Sequence, residues 1–241
     1  MGLLKVELIE KGVLYMVSTP IGNLADITYR AVHILKNVDL IAAEDTRTSS
    51  VLLKHYQITT PMRSYHSYNL KRETPRLIAL LQEGQSVALI SDAGTPGISD
   101  PGFHLARACI DAGIRIVPIP GPSAFVTALV ASGLPSHRFV FEGFLPQKKG
   151  RKTRIEQLGQ EERTIVLYES PHRVQKTVAQ LLKALGDRQV VMARELTKKF
   201  EDFFRGTLSE LAAHLQTKAV KGEIVLIVEG LSKRKKKDEV K

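Results

Sequence analysis

The sequence predicts an α/β protein built from two α/β domains. Three observations carry that expectation. Short β-branched apolar runs alternate with longer stretches of helical period along the chain. Several of those runs, such as V-A-L-I and I-V-L-Y, are continuously apolar, which predicts strands covered on both faces and hence parallel sheets. The 241 residues suit two domains of roughly 100–120 residues each.

In chain order, strands are predicted at Val13–Ser18, Val38–Ala42, Met62–Tyr65, Val87–Ser91 and Ile114–Pro118, then at Phe139–Phe144, Thr164–Tyr168, Gln189–Arg194 and Glu223–Val228. Helical stretches fall between them, among them Thr28–Lys36, Thr74–Glu83, Phe103–Ala112 and Pro171–Leu185. In the second of these, Leu77, Leu80 and Leu81 recur at helical spacing and Gly84 supplies a stop. The seam lies between Pro118 and Arg138, where I-P-G-P-S-A precedes a helical stretch closed by Ser132-Gly133-Leu134-Pro135. The predicted organisation is an N-terminal segment 1–12, a domain over 13–122, a second over 123–230 and a basic tail over 231–241. No repeat of 20–50 residues is visible, which argues against a solenoid.

The formal net charge of +10 is concentrated in two places. The tail from Leu231 to Lys241 holds six basic residues and two acidic ones, and the run Lys148–Arg154 (K-K-G-R-K-T-R) holds five basic residues and no acid. The remainder is close to neutral, a distribution that fits a polyanionic partner. A single cysteine, Cys109, excludes an intrachain disulfide and any multi-cysteine metal site, and the seven histidines lack metal-ligand spacing, so no metal is expected. No apolar run reaches the ~18 residues that span a bilayer, and the N-terminus lacks a signal-peptide layout. The expectation is a soluble cytoplasmic protein without a membrane partner. The absence of Trp and an aromatic content of 6% leave few base-stacking platforms.

In open α/β sheets, ligands meet the loops at the carboxyl ends of strands. Those loops read S-T-P-I-G-N-L (Ser18–Leu24), A-E-D-T-R (Ala43–Arg47), S-D-A-G-T-P-G-I-S-D-P-G (Ser91–Gly102), P-I-P-G-P-S-A (Pro118–Ala124), E-S-P-H-R (Glu169–Arg173) and R-E-L-T-K-K-F-E (Arg194–Glu201). Neither G-x-x-x-x-G-K-[ST] nor G-x-G-x-x-G occurs, and Gly121-Pro122-Ser123 lacks the second glycine of a nucleophile elbow. Phosphate cradling, hydride transfer, serine hydrolysis and zinc catalysis all lose ground together. Pro/Gly-rich turns with sparse acids suit a small ligand without phosphate, and S-adenosyl-L-methionine, with its sulfonium and zwitterionic amino acid, is compatible.

Taken in order from about Val13 to Glu229, these six motifs resemble the ribosomal RNA ribose-2′-O methyltransferase I family, within the tetrapyrrole-methylase-like (class III) group of S-adenosylmethionine enzymes. The resemblance implies the tetrapyrrole-methylase-like fold, with two α/β domains, the cofactor in the cleft between them, and a homodimer. It implies methylation of the ribose 2′-hydroxyl of a cytidine in the decoding region of 16S rRNA, with free rRNA or the small ribosomal subunit as partner. Porphyrinoid-methylating relatives carry G-D-P where this chain has Gly94-Thr95-Pro96, a departure that favours the rRNA branch.

The same resemblance assigns Asp92, Gly94, Thr95, Pro96, Gly97 and Ile98 to the cofactor, with Ser123 and Ala124 from the next loop and Pro20, Gly22 and Asn23 from the first. Tyr168 and Glu169 would approach the adenosine from the second domain, with Gly222 and Glu223 completing that wall. The transfer needs in-line attack of a ribose hydroxyl on the methyl of a sulfonium. A base, or a cation near the forming alkoxide, would help. The candidates are Glu44 and Asp45, with Arg47, Arg194 and Lys198 as electrostatic partners, and His172 as a further base. A structural ion pair such as Asp45 with Arg47 stands beside that reading. RNA contact falls to Lys148, Lys149, Arg151, Lys152 and Arg154, where a solvated charge run is the bland alternative. Arg63, His66, Asn69 and Lys71 are expected to add contacts. Two further readings stay open: methylation of a tetrapyrrole-like small molecule, and a non-catalytic RNA-binding module.

Overall fold

A computed structural model describes residues 8–231. The chain divides after Ser123 into two compact units, each with its own sheet.

In the first unit, strands and helices alternate without exception: β1 (Leu14–Val17), α1 (Tyr29–Asn37), β2 (Leu40–Ala43), α2 (Thr46–His55), β3 (Met62–Ser64), α3 (Leu70–Gln82), β4 (Val87–Ile90), α4 (Gly102–Asp111) and β5 (Ile116–Ile119). All pairings are parallel, in the order β3-β2-β4-β1-β5. The period of two sorts each strand's side chains onto two cores. Tyr15, Val17, Ile41 and Ile90 pack with Ile34 and Leu35 of α1 and Leu52 and Leu53 of α2. Leu14, Ala42, Val87 and Leu89 pack on the other face with Leu77 and Leu81 of α3 and Leu105 and Cys109 of α4. The all-apolar reading of V-A-L-I is explained by this double cover.

Two helices differ from the sequence expectation. Helix α2 falls where A-E-D-T-R reads as a loop: Asp45 caps it, accepting from the Arg47 N–H at 2.8 Å, so Thr46 and Arg47 are already helical. Helix α3 begins at Leu70 rather than at Thr74, because its first turn is pinned from outside the helical pattern. Buried Glu73 receives Arg72 at 2.7 Å, Arg76 at 3.1 Å and Arg63 at 3.3 Å, and the Tyr65 hydroxyl meets Thr74 Oγ1 at 2.9 Å. Pro75 is therefore carried inside the helix instead of opening it.

The second unit runs α5 (Ala124–Val130), β6 (Phe139–Phe144), α6 (Arg151–Leu158), β7 (Thr164–Glu169), α7 (Val174–Leu185), β8 (Gln189–Arg194), β9 (Asp202–Thr207), α8 (Leu208–Thr217) and β10 (Ile224–Val228). Its sheet has the order β6-β7-β10-β8-β9. Only β6 and β7 are parallel; β7–β10, β10–β8 and β8–β9 are antiparallel. The expectation of parallel sheets is thus corrected for this unit. Continuous apolarity reports cover on both faces, and here α6, α7 and α8 cover one face while α5 packs on β7 and β10 from the other. Cover says nothing about strand direction. Strand β9, D-F-F-R-G-T, lay inside no apolar run because it is a half-exposed edge strand.

Among the described residues, no helix is long and apolar enough to cross a membrane, and no group of three or more His, Cys, Asp or Glu is placed to hold a metal ion. The tail residues from Ser232 onward, including Lys233 to Lys237, lie outside the described residues.

Candidate functional site

The carboxyl ends of the first unit's parallel strands bring four of the six motif loops together. Beyond β1, Thr19 and Gly94 exchange backbone hydrogen bonds of 2.9 and 3.0 Å, joining the first loop to the Ser91–Gly102 loop. The Thr19 hydroxyl donates to the Ser91 carbonyl at 3.2 Å. The Ser18 and Thr95 hydroxyls lie 3.0 Å apart, and Thr95 Oγ1 donates to the Pro122 carbonyl at 3.1 Å, which ties in the loop after β5. This close packing explains the glycines. Gly94 and Gly97 have φ of +81° and +91°, and a Cβ on Gly121 would sit 2.8 Å from Ser18 Cβ. Asp100, which the motif reading passed over, shapes the turn: its carboxylate accepts from the Gly97 N–H at 2.8 Å and the Gly102 N–H at 2.7 Å, with Ser99 held at φ +65°. The signal was present as an acid two residues before the helix that opens at Gly102.

The edge is acidic. Asp45 N–H donates to Asp92 Oδ1 at 2.9 Å, and Asp92 N–H reaches Glu44 Oε2 at 3.4 Å. Burial, then the charges of Asp92, Asp100 and Asp45, holds the Glu44 carboxyl above its ordinary range, against the opposing hydrogen bond from Asp92. Asp92 is raised as well, by desolvation first and the charge of Asp45 after it. Asp45 behaves in the opposite way: two hydrogen bonds from the Arg47 side chain, at 2.7 and 3.1 Å, bring it down to about 2. The Asp45–Arg47 ion pair is therefore present, and Asp45 is both a helix cap and a carboxylate that Arg47 favours in its charged form. Pro20 is buried at this edge, while Gly22 and Asn23 are exposed, Asn23 capping the short turn Leu24–Asp26. Pro96 is buried and Ile98 half-buried. Ser123 ends the first unit and Ala124 opens α5 of the second.

In the second unit, strand register places the remaining loops along one sheet edge. Phe144 pairs with Tyr168, Glu169 with Ile224, Ile224 with Arg194, and Arg194 with Asp202. The loop after β6, the E-S-P-H-R loop, Lys221–Glu223 and the R-E-L-T-K loop therefore share that edge. Gly222, at φ +88°, lies so close to Glu195 that a Cβ there would overlap its carboxyl group. Glu195 itself has φ +51° and Thr197 φ +65°, two non-glycine residues in the left-handed region. Lys198 Nζ lies 3.1 Å from both Glu195 and Glu223. Burial alone would lower Lys198, but those two carboxylates outweigh it and raise it, so it stays a cation. Arg194 donates to the Lys221 carbonyl at 3.4 Å and lies 3.8 Å from Asp202.

Two assignments look different in three dimensions. The Glu169 carboxylate is buried and internally engaged, accepting from Ser170 N–H at 2.8 Å, Thr177 Oγ1 at 2.6 Å and Arg173 at 2.8 Å, with Arg151 at 3.8 Å. Tyr168 sits in an aromatic cluster with Phe141 and Phe144, its hydroxyl accepting from Phe125 N–H at 3.3 Å. The basic run divides in the same way. Arg151 is buried, reaching Thr177, Gln180 and the Pro146 carbonyl, and Arg154 pairs with Glu142 at 2.7 Å. Lys148 and Lys149 are exposed and without an ion pair among the described residues, and Lys152 stands 3.8 Å from Glu156. The run has no acid of its own, yet β6, β7 and the next helical turn supply three. Asn69 is likewise structural, bonding His66 N–H and the Ser64 carbonyl, and Arg63 reaches Glu73.

Residues 13–212 match the family described as tetrapyrrole (corrin/porphyrin) methylases. The ribosomal RNA small subunit methyltransferase I of Synechocystis sp. is 54% identical over 221 residues, covering 91% of this chain and 79% of that protein. The protein of the same name from Halalkalibacterium halodurans is 50% identical, covering 96% and 80%. Among solved structures, uroporphyrin-III C-methyltransferase from Thermus thermophilus, complexed with S-adenosylhomocysteine, shares the fold with a TM-score of 0.64, 18% identity, and coverage of 90% of this chain and 96% of that one. Because the family match runs over residues 13–212 and the relatives are at least half identical over about four-fifths of their own length, the chain belongs to the tetrapyrrole (corrin/porphyrin) methylase family, beside the ribosomal RNA small subunit methyltransferase I proteins.

Proposed function

We propose that this protein is an S-adenosylmethionine-dependent methyltransferase of small-subunit rRNA, and that the group it modifies is the ribose 2′-hydroxyl of a decoding-region cytidine. The observation that carries the reading is the likeness, at 50–54% identity over more than nine-tenths of the chain, to proteins named for methylating small-subunit rRNA. The finer choice of a cytidine 2′-hydroxyl rests on the ordered six-motif resemblance. A cytoplasmic homodimer belongs to the same reading.

The first unit's edge fits the cofactor. A cradle that a Cβ at Gly121 would obstruct, sharp turns at the left-handed Gly94 and Gly97, and carboxylates at Asp92 and Asp100 suit a ligand with a sulfonium and an adenine. Thr95, Gly94, Gly97, Ser123 and the Pro20–Asn23 loop would hold it. When bound, S-adenosylmethionine supplies an electrophilic methyl whose leaving thioether is neutral and needs no acid.

What remains for the protein is orientation of the ribose, worth roughly 7–11 kcal/mol when complete, and acceptance of the hydroxyl proton. Glu44 is the better acceptor of the two acids in A-E-D-T-R. Its carboxyl lies above the ordinary range, whereas Asp45 is held at about 2 by Arg47. Lys198, kept cationic by Glu195 and Glu223, gives the second unit's sheet edge a fixed charge suited to an RNA oxyanion. Lys148, Lys149 and Lys152 contact phosphate, while Arg151 and Arg154 shape the loop that presents them.

The test is incubation of the protein with small ribosomal subunits and methyl-labelled cofactor, followed by nucleoside mass spectrometry. Label on a cytidine ribose is the expected result. Label on a base, or on porphyrinoids alone, would sink the proposal.

A further inference from the structure

We infer that the second unit's sheet edge is a stacking platform for unpaired RNA bases, formed by Phe144 and Phe200. This deepens the rRNA reading and rests on it. Although the chain has no Trp, these two rings are 53% and 63% exposed, and each carries a cation. The Arg173 guanidinium lies 6.0 Å from the Phe144 centroid and Lys199 Nζ lies 5.6 Å from that of Phe200. A single exposed apolar side chain needs no explanation. Two exposed aromatics, each with a cation, at the same edge of one sheet do.

The backbone aims the first ring. Register shifts between Phe141 and Gly143, a bulge with Gly143 at φ +58°. Without it, Phe141 and Phe144 would point to opposite faces. With it, they pair with Val166 and Tyr168 and both meet the Tyr168 ring, at 5.0 and 5.6 Å. Phe144 is thereby backed by Tyr168, with Arg173 held by the buried Glu169 carboxylate at 2.8 Å. The second ring follows β8, three strand spacings from β6 in the sheet order, about 14 Å. Lys148, Lys149 and Lys221 are exposed at the same edge with no ion pair among the described residues.

Aromatic faces beside a row of cations are what a single strand binds, bases on the rings and phosphates on the lysines. A ribose hydroxyl is accessible to in-line attack only where the strand is laid open, and a platform of this kind holds a strand in that form.

The experiment measures binding of a fluorescein-labelled unpaired RNA oligonucleotide by anisotropy at several salt concentrations, using the full chain. Phe144→Leu and Phe200→Leu together are expected to weaken binding at least tenfold with the salt slope retained, while Phe144→Tyr and Phe200→Tyr stay within about twofold. Lys148→Ser with Lys149→Ser should instead reduce the slope by about 1.4. A base analogue whose emission is quenched by stacking should be quenched by wild-type protein, a readout independent of how well the Leu variants fold. Wild-type affinity in the Leu variants, equal losses in Leu and Tyr variants, absence of quenching, or conversion of a dimer to monomers by the Leu changes would each overturn the platform. If wild-type protein labels rRNA under the conditions above and one of those results appears, the platform falls and the methyltransferase reading stands. If it labels none, both fall.

Discussion

Gly121→Ala tests whether the strand-end loops of the first unit must lie as close as they do. The added Cβ would sit 2.8 Å from Ser18 Cβ. Carbon atoms rest at about 3.5–4.0 Å, so the two loops would have to part by roughly 1 Å. That movement stretches the 3.0 Å contact between the Ser18 and Thr95 hydroxyls and the 3.1 Å bond from Thr95 to the Pro122 carbonyl beyond hydrogen-bonding range. Overpacking costs about 1–3 kcal/mol and each neutral hydrogen bond about 1 kcal/mol, and because relief of one spends the other, the net is on the order of 2–3 kcal/mol. For a chain of this size that corresponds to a drop in melting temperature of about 4–12 °C. If the same loops hold the cofactor, a misplacement of ~1 Å should also weaken S-adenosylmethionine binding by one to two powers of ten. Calorimetric melting and isothermal titration give the two numbers. A variant within 1 °C and twofold of wild type would refute the loop packing and the cofactor assignment together. A lower melting temperature with unchanged affinity would refute only the latter.

Four further outcomes are expected. On the proposed role of Glu44 as proton acceptor, Glu44→Gln should reduce methyl transfer by about two to four orders of magnitude with cofactor binding intact. Since the folded-state Glu44 carboxyl is raised above its ordinary value of 4.5, the folded protein binds that proton more tightly, and stability falls as pH rises through the interval from 4.5 to the raised value. The Gln variant should therefore be the more stable protein at neutral pH, an advantage that vanishes below 4.5; denaturant titration at both pH values checks the sign. Arg151→Met should cost about 3 kcal/mol, since the buried Glu169 carboxylate loses one partner and keeps Arg173. Urea unfolding reads it, and the folded variant should keep wild-type RNA affinity, in contrast to the Lys148/Lys149 pair. Finally, Cys109 is fully buried and its thiol is pushed up to about 11, so thiol reagents should label it only after unfolding; rapid labelling of native protein would contradict the packing of α4 on β4.

The alternation of apolar runs with helical stretches, the motif loops at strand ends and the family resemblance were all legible in one dimension, because each depends on residues close in sequence or on motif order. Glycines at 94, 97 and 121 marked where the backbone had to turn sharply or pass close to a neighbour. Charge was legible only as a sum. Whether Arg151 reaches solvent or Glu169 depends on β7 lying beside α6, and whether Asp45 can take a proton depends on Arg47 folding back over the start of α2. Local patterns of V, L and I announced burial on both faces of β7 and β10 but carried no strand direction, which is decided by which partner strand arrives alongside. The raised Glu44, the Asp100 clasp on Gly97 and Gly102, and the bulge that turns Phe144 toward Tyr168 likewise arise from groups brought together by folding. Composition and order determined the class of protein and the positions of its strand-end loops; tertiary structure alone decided which of their side chains are left exposed, because burial and pairing are properties of neighbours in space.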